Sequence, residues 1–208
     1  MFEPDVALTD FAIALACAVF CALLLRRTRD DARTAFIWLF ALTGAGAVLG
    51  GIVHGFFDVR SPDPVTDRLW LATMLLAGAA GSAVWLIVAA LVLPARARFA
   101  ARLLIAAEWL AYAAWAVWMD RSFLVVVVQY SAPALALLVV LGVRFVRRRH
   151  VVPALGAGAI LLTFAAGALQ QAGWSPTRAL THNAFFHVLQ LIALAGLFLA
   201  ARRIDEVH

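Results

Sequence analysis

No lysine occurs in this sequence; all 17 basic residues are arginine. That absence excludes a retinal Schiff base, and with it a rhodopsin-type pigment, because no side-chain amine is available to form the linkage. Charge of either sign is scarce. Asp, Glu, Lys and Arg make up 14% of the 208 residues, where a soluble domain carries about 25%. There are only two cysteines, Cys17 and Cys21, one helical turn apart in the first apolar run. A bond between them would staple nothing, so a disulfide-built secreted scaffold is excluded and both read as small core residues. The chain also lacks a Gly-rich phosphate loop, a Gly-x-Ser-x-Gly nucleophile elbow and a Cys-x-x-Cys pair, which removes the chemistries those motifs support.

What is abundant is apolar surface. Hydrophobic residues make up 65% of the chain and the mean hydropathy is +0.94. A soluble fold of this length could not hide so much, so lipid is the expected solvent for most of it. Seven apolar runs stand out, near Leu8–Leu25, Ala35–Phe57, Leu69–Leu93, Leu103–Met119, Phe123–Val143, Val151–Gly173 and His182–Ala201. At 1.5 Å per residue, most are long enough to cross about 30 Å of hydrocarbon. The intervening segments are short, with no Ser/Gly-rich linker and no internal repeat. The fold expected is all-α: a polytopic membrane protein whose residues 1–208 form one seven-transmembrane-helix bundle. Acidic residues precede the first run and basic ones follow it, the reverse of a signal peptide, so that run is expected to be a retained helix.

The arginines sort by side. Arg26, Arg27, Arg29 and Arg33 follow the first run, Arg96, Arg98 and Arg102 the third, Arg144 and Arg147 to Arg149 the fifth, and Arg202 and Arg203 the seventh. Thirteen therefore share one side, against Arg60, Arg68, Arg121 and Arg178 on the other. The positive-inside rule puts the thirteen in the cytoplasm, with the N-terminus outside and the C-terminus inside. The net charge of +5 is then a topology signal, and nucleic acid is not an expected partner. Only an odd number of spans keeps every basic cluster on one face.

His150 lies in a basic connection and His208 ends the chain, and neither calls for a functional reading. The other three histidines all fall at the outer level: His54 late in the second run, and His182 and His187 early in the seventh. Ionisable groups in a membrane are costly and commonly mark function. Imidazole is a good zinc ligand, and three protein ligands with one open position is the catalytic zinc arrangement. Asp58 lies four residues past His54, on the same face if the helix continues that far, and Asp67 begins the third run. Either carboxylate is a candidate to orient a ligand or a bound water. Asp63, between Pro62 and Pro64, reads as a turn residue. The plain alternative for each histidine is an interfacial side chain hydrogen-bonded to a neighbour or a headgroup.

This pattern resembles the CREST superfamily of seven-helix membrane proteins, which includes alkaline ceramidases and adiponectin/progestin receptors. The resemblance implies a zinc ion on His54, His182 and His187, with Asp67 or Asp58 as the catalytic aspartate. The zinc-bound water would be the nucleophile on a lipid amide or ester at headgroup level. Phe186-His187-Val188-Leu189 has the flavour of the family. Two features depart from it. The last pair is His-x4-His rather than His-x3-His, turning the two rings about 140° apart on a regular helix. Gly50 also stands where the family has a serine. If the extra residue is not absorbed, Asn183 rather than His182 shares the face of His187. The competing readings are a non-enzymatic lipid-binding or receptor-like bundle and a bis-histidine haem protein. Transport has no broken helices or inverted repeat to support it.

Elsewhere, Glu108 is expected to pair with an arginine first of all, with a protonated place in the bundle or a separate polar cavity as the alternatives. Asp10 is expected to face headgroups or to approach the histidines. Gln129, Tyr130, Ser131, Gln170 and Gln171 read as interhelical hydrogen-bonding groups. Gly46 with Gly50 and Ala77 with Gly81 offer small-residue faces for close helix approach. Seven tryptophans suit an interfacial belt. The Ala- and Arg-rich, lysine-free composition suggests a bacterial cytoplasmic (inner) membrane, with a membrane lipid as the expected partner.

Overall fold

A computed structural model of the chain describes residues 2–28, 30–58, 63–177 and 180–204. Arg29, Arg60 and Arg178, used above for topology, and His208 lie outside these residues. Among the described residues the structure is all-helical: α1 Pro4–Leu25, α2 Asp31–Phe56, α3 Pro64–Val92, α4 Ala95–Trp118, α5 Phe123–Arg148, α6 Val151–Gln171 and α7 His182–Arg202. All seven are long and apolar enough to cross a membrane.

Several helices outrun the apolar stretches that announced them. Helix α4 begins at Ala95 rather than near Leu103 and so includes Arg96, Arg98 and Arg102. Hydropathy marks only the lipid-crossing length, and arginine is a good helix former that continues the helix beyond it. Helix starts follow capping chemistry. Asp30 accepts from the Arg33 N–H at 2.8 Å, and the Thr181 hydroxyl accepts from the Ala184 N–H at 3.2 Å. Asp63, expected in a turn, caps α3 by accepting from the N–H groups of Val65 and Thr66, both at 2.8 Å. Hydrogen bonding from the Thr66 N–H holds its carboxyl below the ordinary value of 3.8, against the opposing effect of desolvation. Pro4 and Pro64 sit in the first turns of α1 and α3, where a missing N–H costs nothing.

The helices close a ring in the order α1, α2, α3, α5, α6, α7 and back to α1, while α4 stands outside it and packs mainly on α3. Close approach depends on glycine at several of these seams. A side chain at Gly44 would meet Cys17 Cβ at 2.9 Å, so α1 and α2 touch there nearly backbone to backbone. Gly78 lies under the Tyr112 ring, with Tyr112 carbons as near as 2.1 Å to where a Cβ would be. The Tyr112 hydroxyl donates to Met74 O at 2.7 Å, pinning α4 to α3. Gly81 meets Gln129 O and the Tyr130 Cα of α5. Pro133 lies one turn beyond Gln129 in α5 and has no N–H to offer that carbonyl. The small-residue faces read from the sequence thus serve three different neighbours: Gly46 packs on α3, Gly50 on α1 and Gly81 on α5.

At the arginine-rich end, Phe20 stacks on Phe198 at 4.4 Å and meets Phe40 edge-on at 5.3 Å, joining α1, α2 and α7. Arg33, one of the arginines counted on this side, is 1% exposed. Its guanidinium donates to Thr28 O and pairs with Asp30 at 3.3 Å. The end of α3 is sealed by two further arginines. Arg98 donates to Ala90 O at 3.1 Å and Leu93 O at 3.0 Å, and Arg144 to Leu91 O at 2.6 Å. Ala90 O would ordinarily bond the N–H four residues on, but that residue is Pro94, which has none.

Candidate functional site

At the opposite end, the start of the chain is tied to two other helices. The N–H of Glu3 donates to His54 O at 2.9 Å and that of Phe2 to Gly55 O at 3.3 Å. Asp5 accepts from the Thr181 N–H at 2.8 Å, just before α7. These bonds gather the beginning of α1, the end of α2 and the beginning of α7 into one corner.

Within that corner, His54 Nδ1 lies 2.5 Å from Glu3 Oε2. An ionised carboxylate only accepts, so Nδ1 carries the proton and donates it to Glu3. His187 Nδ1 lies 3.1 Å from Thr9 Oγ1 and 3.5 Å from Asp10 Oδ1. The Thr9 hydroxyl is directed at Asp5 O and Val6 O, both at 2.9 Å, so its oxygen is left to accept from His187. Both imidazoles therefore present a proton at Nδ1, which leaves Nε2 as the atom through which either ring, when neutral, would hold a ligand. Their side chains are each 15% exposed.

Asp10 completes the corner. It is 6% exposed, and Oδ2 lies 3.0 Å from where a Cβ at Gly50 would stand. Gly50 is one turn before His54 on α2, so the carboxylate occupies room that a larger residue there would fill. Asp10 Oδ2 is buried and has no hydrogen-bond partner among the described residues. Of its two expected positions, Asp10 takes the one beside the histidines. Glu3 and Thr9 were not singled out in the sequence. The signal for Glu3 was the acidic stretch ahead of the first apolar run, read above as a mark against a signal peptide, and Thr9, inside that run, carried none.

The other expected site residues stand elsewhere. Helix α7 is regular from its first residue, with no bulge to absorb the extra residue of the His-x4-His spacing. His182 is exposed at its start. Asn183 does not join the histidines either, since its Oδ1 accepts from Gln170 Nε2 at 3.1 Å, linking α7 to α6. Asp67 pairs with Arg121 in the connection between α4 and α5. Between that pair and the corner stands Trp70, which meets His54 edge-on at 6.3 Å and donates from Nε1 to Arg121 O at 3.3 Å. Asp58 has left the face of His54, because α2 ends at Phe56 and Phe57 is extended. Among the described residues no arginine pairs with Glu108, and its Oε2 is buried without a partner. Ser131 bonds within its own helix, to Val127 O at 2.6 Å, rather than across helices.

Zinc can be tested against this donor set. Metal-binding histidines characteristically donate the second ring N–H to a carboxylate, a carbonyl or a water; His54, on Glu3, fits that pattern, and His187, on the Thr9 hydroxyl with Asp10 Oδ1 at 3.5 Å, fits it in part. The third imidazole does not. Among the described residues no three His, Cys, Asp or Glu side chains gather closely enough to share an ion.

A family model matches residues 6–206, covering the corner except for its first acids: a family of unknown function, DUF6962. The chain belongs to this family. No curated protein and no solved structure matches it. Asp10, His54 and His187 lie inside the family's span, and Glu3 and Asp5 just ahead of it.

Proposed function

We propose that this DUF6962 protein is an integral-membrane hydrolase of CREST type, zinc-dependent and acting on a lipid amide or ester. The observation that supports the reading is the pair His54 and His187. They come from helices more than a hundred residues apart and share one corner, each ring oriented through Nδ1 by α1 or the residue just before it. Zinc bound there would supply a polarised water that is nucleophilic near neutral pH, held through Nε2 of His54 and His187. Glu3, Thr9 and Asp10 fix the tautomer and angle of the rings. The proton-accepting role that the resemblance gives to Asp67 or Asp58 falls to Asp10, whose Oδ2 is available to take a proton and return it to a leaving group. His182 takes no part. By the positive-inside rule the corner faces outward from a bacterial inner membrane, with the scissile bond at headgroup level and the acyl chains among the helices.

The test is metal analysis of the purified protein together with hydrolysis of ceramide-like and acylated lipids. About one zinc per chain is expected, lost in His54→Ala and His187→Ala and retained in His182→Ala. Folded wild-type protein that takes up no metal would overturn the reading. Zinc without turnover would leave a lipid-binding or receptor-like bundle. A Soret band would replace zinc with haem, which needs only two imidazoles.

A further inference from the structure

A second feature of the bundle lies away from the histidines. A groove of about 680 Å³ runs along α3 between α2 and α4, at the level where α4 stands outside the ring. Its floor runs from Ala79 to Ala90 on α3, about 16 Å by helix rise. Small residues such as Ser82, Ala89 and Ala106 hollow it out, and Trp38 and Trp109 wall its deeper part. Its mouth lies at the arginine-rich end and carries Asp31, Arg98 and Arg102.

The mouth is not electrically balanced. Asp31 accepts from Arg98 at 2.8 Å and from Arg102 at 3.1 Å, so one carboxylate answers two guanidiniums. Arg98 is also committed to the carbonyls that end α3. The Arg102 side chain is 55% exposed, and its one described hydrogen bond goes to Asp31, which leaves most of its five N–H donors for a ligand. An apolar channel opening under a net positive, exposed guanidinium complements an amphiphile with one anionic end. Guanidinium groups pair with phosphate in bidentate fashion.

We infer that this groove binds an anionic phospholipid of the arginine-side leaflet, with its phosphate on Arg102 and one acyl chain along α3 between Trp38 and Trp109. The inference is independent of the histidine corner, which lies at the other end of the bundle. The full-length protein, reconstituted into nanodiscs of equal parts phosphatidylcholine and phosphatidylglycerol, is released into mild detergent. Phospholipid retained by each protein molecule is then counted by native mass spectrometry.

Phosphatidylglycerol is expected to be retained in preference to phosphatidylcholine. Arg102→Gln should weaken retention about five-fold, the effect of losing one basic residue near an anionic headgroup, while Arg102→Lys should keep most of it. Ala106→Phe fills the channel on an exposed helix face and should displace the lipid while leaving the charge in place. Size-exclusion profiles identify variants that are still folded. Equal retention of the two lipids would overturn the inference, as would retention unchanged in either Arg102→Gln or Ala106→Phe. Selectivity that follows Arg102 but ignores Ala106→Phe would reduce the site to a surface charge and would also sink the groove.

Discussion

The corner formed by α1, α2 and α7 and the face formed by α2, α3 and α4 handle polarity in opposite ways. In the corner, three helices surround Asp10, His54 and His187, and an N-terminal segment closes over them. On the α4 face one helix rests on one neighbour, and only 11% of the apolar span of α4 is buried, against 50% for α3. There, the charged groups of the groove, Asp31, Arg98 and Arg102, gather at its mouth, and the rest of its lining is alanine, leucine, isoleucine and tryptophan with the hydroxyls of Thr34 and Ser82. Enclosure by several helices is what permits costly ionisable groups inside a membrane. Helix α4, with one main neighbour, carries its arginines at its end and leaves its flank open, and its one carboxylate further along, Glu108, has Oε2 buried without a partner among the described residues.

The largest effect expected from breaking this contrast is at the corner. His187→Ala should lower lipid hydrolysis by at least about 100-fold, the scale of a lost acid–base or metal-holding group. Asp67→Asn should leave it nearly unchanged, since Asp67 is engaged with Arg121 at the surface and such pairs contribute about 0–1 kcal/mol to stability. Rates of the two variants side by side decide it, and a comparable loss in both would return Asp67 to the site.

Next is the seam that holds α4. Gly78→Val would drive methyl groups into the Tyr112 ring, and overpacking of this kind costs about 1–3 kcal/mol. Thermal unfolding of the detergent-solubilised variant should show a clearly lower midpoint, while the zinc uptake proposed for the distant corner should match that of the wild type. A gentler probe of the same seam is Tyr112→Phe, which removes only the bond to Met74 O. It should cost about 0.6 kcal/mol, the average for interhelical hydrogen bonds in membranes.

The smallest effect is the cap on α3. The Asp63 carboxyl titrates below 3.8 in the folded protein. Its contribution is therefore complete above that value and is lost as pH falls through the lower folded value. Amide exchange at Val65 and Thr66 should accelerate only in strong acid, and Asp63→Asn should remove that pH dependence.

Much of this was legible before any coordinates. The seven helices follow from apolar runs too long for a soluble fold. The pairing of Gln170 with a neighbouring helix is the ordinary fate of a polar side chain in such a run. The histidine set was legible only in part. Spacing on a regular helix already separated His182 from His187, yet the pattern gave no way to choose whether the helix was regular. Asp67 looked suited to the site because it begins the third run, where the resemblance puts an aspartate, but Arg121, more than fifty residues further on, pairs with it. Asp10 was the reverse case, a carboxylate that headgroups could have satisfied.

Sequence alone determined that the chain carries seven runs long and apolar enough to cross a membrane and that thirteen of its seventeen arginines follow the odd-numbered runs, because those properties depend on length, composition and charge counted along the chain. Which carboxylate meets which imidazole, and that α4 lies outside the ring, were decided only by tertiary packing. Such contacts depend on how neighbouring helices rotate and how closely their glycines let them approach. A rotation of one residue, about 100°, changes every partner without altering the hydropathy at all.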